Sequence, residues 1–306
     1  VYPDDGDNVE TIMQNADTAM YHAKEKGRNT YQFFTSEMNT DAVRRQQIES
    51  NLRRALKQGE FILHYQPQVD FACGEIIGAE ALVRWQDPNL GLLYPNQFVP
   101  VAEECGLIVP IGRWVLTEAC RQTQSWLELG LPAVPVSVNV SAIEFRSKGF
   151  LDGIAQTLKE TGLPANFLEL ELTESILMHD AEFSTVTLET LKGMGVKLAI
   201  DDFGTGYSSL SYLKRFPIDT LKIDQSFVRD ITTDANDATI VSAVIGMGIN
   251  LKQRVIAEGV ETQAQLAFLK SRKCEGGQGY LFSHPLAANR FANLLVAGSE
   301  FRKVCA

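Results

Sequence analysis

Eight apolar, strand-like runs, most of them separated by amphipathic helical segments, predict an α/β barrel of the (β/α)8 type with one strand running against the rest. The runs fall at 61–66, 76–84, 134–140, 167–173, 196–202, 219–224, 254–259 and 279–282. From the third run onward, helical segments such as Phe150–Glu160, Phe183–Lys192, Ala238–Ile249 and Thr262–Lys270 alternate with them. Strands joined through helices are expected to be parallel. The first two runs are separated only by Val69–Glu75, which contains Asp70 and Gly74. A parallel crossover needs a dozen or more residues, so this pair is an antiparallel hairpin. The competing arrangement is an open, doubly wound sheet.

The elements ahead of the barrel read differently. Val9, Ile12, Met13, Ala16, Met20 and Ala23 recur at helical spacing, and Gly27 stands where a C-cap belongs. A short strand-like run, Tyr31-Gln-Phe-Phe34, follows. One helix and one strand bury too little for a core of their own. Next comes a charged connector helix from about Asp41 to Gln58, with Val43, Ile48, Leu52, Ala55 and Leu56 on its drier side and Gly59 at its end. The expected division is therefore 1–40, a linker helix at 41–59, and the barrel at 60–306. Between the second and third strands lies a long insert, Gln86–Ala133, with Ile111, Trp114, Val115, Ala119 and Trp126 at helical spacing. Core packing, rather than ligand stacking, is the expected role of those tryptophans.

Composition narrows the classes. With 28 Lys+Arg against 38 Asp+Glu in 306 residues, the net charge is −10. An acidic surface disfavours general binding to nucleic-acid phosphates. No apolar stretch is long enough to span a bilayer, and no signal-peptide pattern opens the chain. The chain starts at Val1 and reads as a piece of a longer polypeptide, from which a membrane anchor or sensor could have been cut away. The five cysteines, Cys73, Cys105, Cys120, Cys274 and Cys305, form no Cys-x-x-Cys pair. Their number and spacing predict a reducing, cytoplasmic setting and no zinc-thiolate site.

Polar residues interrupt the apolar strands at corresponding places. Asp201 and Asp202 end an apolar run in Val196-Lys-Leu-Ala-Ile-Asp-Asp-Phe-Gly-Thr-Gly206. Glu80, Asn139, Glu171, Lys222, Glu258 and Gln278 each lie in or at the end of another strand. In a barrel those ends converge on one rim. Burying a carboxylate costs several kcal/mol unless it is paired or holds a metal. The candidate donors are all oxygen, and none of His22, His64, His179 and His284 lies at a matching strand end. Oxygen-only sites suit Mg²⁺ or Mn²⁺, with Ca²⁺ possible by geometry. Adjacent Asp201 and Asp202 suit two ions, with Asp201 touching both. Lys222 could orient a water or balance charge on phosphorus, and Glu258 could be a ligand or a general base. Plainer roles compete. Asp201–Asp202 could open a loop or cap a helix, Glu258 could pair with Lys222, Arg84 could form a structural ion pair, and Glu174 could cap a helix. Glu169 shares the face of Glu171 by strand period, as a buried paired carboxylate with no assigned role.

These residues resemble a known family. Glu80-Ala-Leu82, within Ala79-Glu-Ala-Leu-Val-Arg-Trp85, is similar to the signature of the EAL cyclic di-GMP phosphodiesterases. The resemblance runs over about residues 45–300 through Tyr65-Gln-Pro67, Asn139-Val-Ser141, Glu171-Leu-Thr-Glu174, Asp201-Asp-Phe-Gly-Thr-Gly206, Leu221-Lys-Ile-Asp224, Ala257-Glu-Gly-Val-Glu261 and Gln278-Gly-Tyr-Leu-Phe282. It implies a TIM-like (β/α)8 barrel with one antiparallel strand. It also implies Mg²⁺- or Mn²⁺-dependent hydrolysis of cyclic di-GMP to linear pGpG. Carried over, Glu80, Asn139, Glu171 and Asp201 would hold a first ion, and Asp201, Asp202 and Glu258 a second. Lys222 would contact the attacking water and Gln278 would support the metal–water network. Gln66, Leu82, Arg84 and Asp224 match substrate-contacting positions. Glu174 would anchor the loop Phe203–Tyr212, which the family links to dimerisation and activation, so a homodimer is expected. Tyr2-Pro-Asp-Asp-Gly6 and Ala16-Asp-Thr-Ala-Met-Tyr-His-Ala-Lys-Glu-Lys-Gly-Arg-Asn29 resemble the end of a GGDEF (diguanylate cyclase) domain whose own signature is missing. Lys273-Cys-Glu275 and Gln86-Asp-Pro88 depart from the usual pattern but touch no proposed ligand. The alternatives to an active enzyme are a cyclic di-GMP receptor without turnover and a barrel that only mediates protein contacts.

Overall fold

The structure is a computed structural model that describes residues 2–25, 29–204, 210–298 and 301–305. It divides into two compact units, residues 1–60 with 85–107, and residues 61–84 with 108–306.

The first unit holds helices Val9–Glu25, Ser36–Gln58 and Pro95–Glu104. The second helix begins five residues earlier than the sequence predicts and stops where expected, at Gly59 in the left-handed region (φ 68°). Gly27, the predicted end of the first helix, lies outside the described residues. The strand expected at 31–34 does not form. Among the described residues no strand pairs with it, and Tyr31 and Phe33 are exposed. An unpaired β ladder leaves its backbone groups to water and gains nothing over coil. Arg54 ties this unit together, bonding Glu60 at 2.9 Å and Asp87 at 2.8 Å, while the Trp85 indole donates to Glu60.

The strands, in chain order, are β1 (Phe61–Asp70), β2 (Ile76–Asp87), β3 (Gly91–Leu93), β4 (Val136–Asn139), β5 (Leu168–Thr173), β6 (Lys197–Phe203), β7 (Thr220–Ile223), β8 (Arg254–Ala257), β9 (Gly276–Gly277) and β10 (Leu286–Ala287). Eight close into a ring, β1-β9-β8-β7-β6-β5-β4-β2, sealed by β1–β2 pairing, with β3 and β10 outside it. Closure excludes the open doubly wound sheet. Within the ring, the pairings from β2 and β4 round to β9 are parallel, and β1 runs antiparallel to β9, as the short hairpin requires. Helices Ile108–Glu128, Phe150–Thr161, Ala181–Gly193, Ala235–Leu251 and Gln263–Ser271 connect the parallel strands.

The eighth ring strand is not the predicted 279–282 but Gly276–Gly277. Those residues have no apolar period to reveal them. Glycine is required there because a Cβ at Gly276 would lie 2.7 Å from the Val69 carbonyl, and one at Gly277 2.6 Å from that of Ala257. The run Tyr280-Leu-Phe282 forms a turn instead, with Leu281 N–H donating to Val260 O at 3.0 Å. Trp126 is buried against Tyr65 and Phe291, as core packing predicts.

Strand period directs the chemistry. In β5, Leu168, Leu170 and Leu172 alternate with Glu169 and Glu171, all buried. In β7, Leu221 and Ile223 alternate with Thr220 and Lys222. Successive side chains take opposite faces, so one face is apolar and the other polar. The polar sets meet one another across the ring.

Candidate divalent-cation site at the barrel mouth

Lys222 is fully buried, and its Nζ sits among four carboxylates from four other strand ends. It lies 2.5 Å from Glu258 Oε1, 2.6 Å from Glu171 Oε2, and 3.4 Å from both Glu80 Oε2 and Asp201 Oδ1. The Asn139 amide donates to Glu80 Oε1 at 2.7 Å. The Gln278 amide donates to Glu80 Oε2 and, at 3.2 Å, to Glu258 Oε1. The structure thus brings Glu80, Asn139, Glu171, Asp201, Lys222, Glu258 and Gln278 together, each from a different strand or strand end. The Lys222–Glu258 ion pair, the plainer reading of Glu258, is present. It does not neutralise the site, because one ammonium faces four acids.

Asp202 completes the cluster by a local distortion. The β6–β7 register shifts between Ile200 and Phe203, and Asp202 has φ 52°. Such irregularities re-aim side chains at sheet ends. Here carboxylate oxygens of Asp201, Asp202 and Glu258 come within 4.8 Å of one another.

Electrostatics record the crowding. Burial, then Asp201 and Asp224, push Asp202 up to about 6. Burial pushes Glu258 up to about 8; Lys222 works against this, and Asp201 and Glu80 add to it. Burial raises Glu171 well above the usual carboxylate range, Lys222 offsetting only part. For Glu80 the burial effect is outweighed by Lys222 and by the Gln278 and Asn139 hydrogen bonds, which hold it below its ordinary value. Burial pulls Lys222 down, but Asp201, Glu171, Glu258 and Glu80 together raise it well above. Among the described residues, Glu171 Oε1 and Gln278 Oε1 are buried and accept no hydrogen bond, and Asp201 Oδ1 has the 3.4 Å ion pair with Lys222 in place of one. Orphaned acceptors beside surplus negative charge fit an oxygen-liganded divalent cation.

A cleft of about 220 Å³ opens over the cluster, lined by Gln66, Glu80, Leu82, Gln225, Glu258 and Tyr280 among others. Gln66 is steadied by donating to Ser283 O at 3.1 Å. Sequence reasoning missed Gln225 and Tyr280. Tyr280 is half exposed, its ring 3.9 Å from that of His284. A larger cavity of about 270 Å³, between helices Ile108–Glu128 and Phe150–Thr161, shares only Asn139 with the acid cluster, so the chemistry belongs to the smaller one. Arg84 is buried and donates to Val83 O at 2.8 Å. Asp224 accepts from the Ser226 amide at 3.0 Å and caps helix Gln225–Arg229. Glu174 is buried at the start of helix Glu174–His179, and neither carboxylate oxygen accepts a hydrogen bond among the described residues. Of the loop it is expected to anchor, residues 205–209 lie outside the described residues.

Fold and site together define an α/β barrel with an oxygen-only, acid-rich mouth suited to divalent cations. The chain belongs to the EAL domain family, which it matches over residues 49–285. It is 49% identical over 290 residues to the bifunctional diguanylate cyclase/cyclic di-GMP phosphodiesterase MucR of Pseudomonas aeruginosa, covering 95% of this chain and 42% of the relative. It is 45% identical over 286 residues to the cyclic di-GMP phosphodiesterase NbdA of the same organism, covering 94% of this chain and 36% of the relative. The chain thus spans less than half the length of these relatives. Among solved structures it is similar to the MucR phosphodiesterase in complex with c-di-GMP, with TM-score 0.78 and 48% identity, over 80% of this chain and 99% of that one. The EAL enzyme Bd1971, bound to cAMP and cyclic di-GMP, gives TM-score 0.78 at 32% identity, over 95% of this chain and 76% of that one.

Proposed function

We propose that the chain is a metal-dependent phosphodiesterase that hydrolyses cyclic di-GMP to linear pGpG. The observation that carries this reading is four carboxylates gathered round a single buried ammonium, with Asp202 beside two of them, at the rim of an EAL barrel. The names of MucR and NbdA, and the c-di-GMP bound in the MucR structure, supply the substrate class.

Glu80, Asn139, Glu171 and Asp201 would hold one Mg²⁺ or Mn²⁺ ion, and Asp201, Asp202 and Glu258 a second. Bound ions would acidify a water and offset charge building on the phosphoryl oxygens. Glu258, whose affinity for a proton is raised by burial, can take up a proton at its carboxylate. Lys222 Nζ, set among these acids, would orient the attacking water or stabilise developing negative charge. Gln66, Leu82, Asp224 and Arg84 would contact substrate, Arg84 through a phosphate, and Gln278 would hold the network by bridging Glu80 and Glu258. Glu174 would anchor the 203–212 loop in a homodimer.

Residues 1–40 read as the end of a GGDEF domain, followed by the linker helix and the barrel from 60. The bifunctional name of MucR is consistent with such a tandem parent. No helix among the described residues is long and apolar enough to cross a membrane. A cytoplasmic setting remains the reading from cysteine usage.

Incubation with cyclic di-GMP and Mg²⁺ or Mn²⁺ should yield pGpG, detected by chromatography. Glu80→Ala should lose more than the roughly 10–100-fold typical of changes outside the ligand shell. Binding without turnover would make the chain a receptor. Wild-type rates in Glu80→Ala would refute the ligand assignment.

A further inference from the structure

Below the acids lies a second polar layer that this chemistry does not use. Glu169 is 1% exposed, and both of its carboxylate oxygens are engaged. Ser137 Oγ donates to Oε1 at 3.0 Å, and Thr220 Oγ1 donates to Oε2 at 3.0 Å. Arg254 Nη2 donates to Oε2 at 3.1 Å and also lies 3.2 Å from Thr220 Oγ1. The four residues come from β4, β5, β7 and β8.

Each stands on the same strand face as a residue of the mouth. Ser137, Glu169 and Thr220 precede Asn139, Glu171 and Lys222 by two residues, and Arg254 precedes Glu258 by four. Strand rise places the two layers about 7 Å apart where the step is two residues. Apolar residues of similar volume could replace a buried ion pair without loss of stability. What they would not reproduce is direction. A carboxylate accepting from three other strands, one adjacent and two across the barrel interior, fixes how those strands sit against β5, whereas packed methyl groups tolerate sliding.

We propose that Glu169 is a positioning residue: by tying β4, β7 and β8 to β5 through Ser137, Thr220 and Arg254, it sets the separations of Asn139, Glu171, Lys222 and Glu258 that the cations require. This rests on the reading of the mouth as a metal-dependent phosphodiesterase site.

Three variants test it: the double variant Glu169→Leu/Arg254→Leu, Thr220→Val, which removes one hydroxyl and leaves the ion pair, and Thr220→Ser, which restores that hydroxyl. Mn²⁺ affinity of the metal-stripped protein is read by titration calorimetry, beside kcat and KM for cyclic di-GMP and melting followed by circular dichroism. Mn²⁺ affinity should fall about 10–100-fold in the double variant. It should fall less in Thr220→Val and return in Thr220→Ser. The rate constant kcat should follow affinity, with KM moving no more than about twofold. Wild-type Mn²⁺ affinity in folded Thr220→Val and in the double variant would overturn the proposal. If the double variant does not fold, the Thr220 pair decides alone. Wild-type protein that neither binds Mn²⁺ nor cleaves cyclic di-GMP would overturn the underlying reading, and this inference with it. Intact wild-type behaviour with unaffected variants would overturn the inference only.

Discussion

At the residue scale, Lys222 occupies the position that a cation would share. Its ammonium touches acids drawn from β2, β5, β6 and the residue after β8. Removing one partner from a buried charge cluster costs about 3–5 kcal/mol, because the remaining charges are left uncompensated. Lys222→Met should therefore lose about that much stability in EDTA, by urea denaturation, and recover most of it in saturating Mn²⁺. Equal losses with and without metal would mean that the acids do not hold cations. Lys222→Ala should also slow turnover while staying folded in Mn²⁺, as measured by pGpG formation. The site residues were legible because buried acids within apolar strands are rare and need a reason. Glu80, Glu171, Asp201 and Glu258 each announced themselves that way. Tyr280 and Gln225 did not, since a half-exposed aromatic in a turn and an amide opening a short helix obey no spacing rule. The β6–β7 irregularity that turns Asp202 inward was also invisible, because backbone conformation at a non-glycine residue leaves no trace in composition.

At the element scale, β9 shows what glycine does in a closed ring. Any side chain at Gly276 would meet the Val69 carbonyl and, at 3.2 Å, the Cδ1 atoms of Ile77 and Ile256. Gly276→Ala should destabilise the protein by about 1–3 kcal/mol, the usual cost of overpacking. The urea midpoint at fixed slope measures it, and an unchanged midpoint would show that the ring yields locally. The same glycines explain why this strand escaped sequence reading, which follows apolar period and instead marked 279–282. The opposite error occurred at Tyr31-Gln-Phe-Phe34, where β-prone residues met no partner strand. The β1–β2 hairpin was legible because connection length alone excludes a parallel crossover. The helix at Ser36–Gln58 was foreseen at its C-terminus through Gly59 but not at its start, where Thr35 makes no side-chain cap.

At the scale of the whole molecule, burial and crowding of the acids at the mouth raise the folded chain's affinity for protons. Folded Glu258 and Asp202 are raised to about 8 and about 6, from 4.5 and 3.8, and Glu171 moves the same way. The folded chain binds protons that the unfolded chain releases. The stability tied to these groups is complete below their ordinary values and is lost as pH rises through about 6 and then about 8. Glu80 moves oppositely, so its share is lost only as pH falls below its ordinary value of 4.5. Without metal, Tm should decline between about pH 5 and pH 8.5. The increment produced by Mn²⁺ should grow over the same window, because cations then replace protons the site no longer holds. Scanning calorimetry at several pH values checks this, and a pH-independent increment would count against it. The reversal of β1 has a further effect. In a barrel of uniformly parallel strands the chain would thread in from the floor. Here Phe61 begins beside the open end, so the strand that carries Gln66 starts at the mouth and leads down to the floor, and a change at its first residues is felt at the cleft before it is felt below.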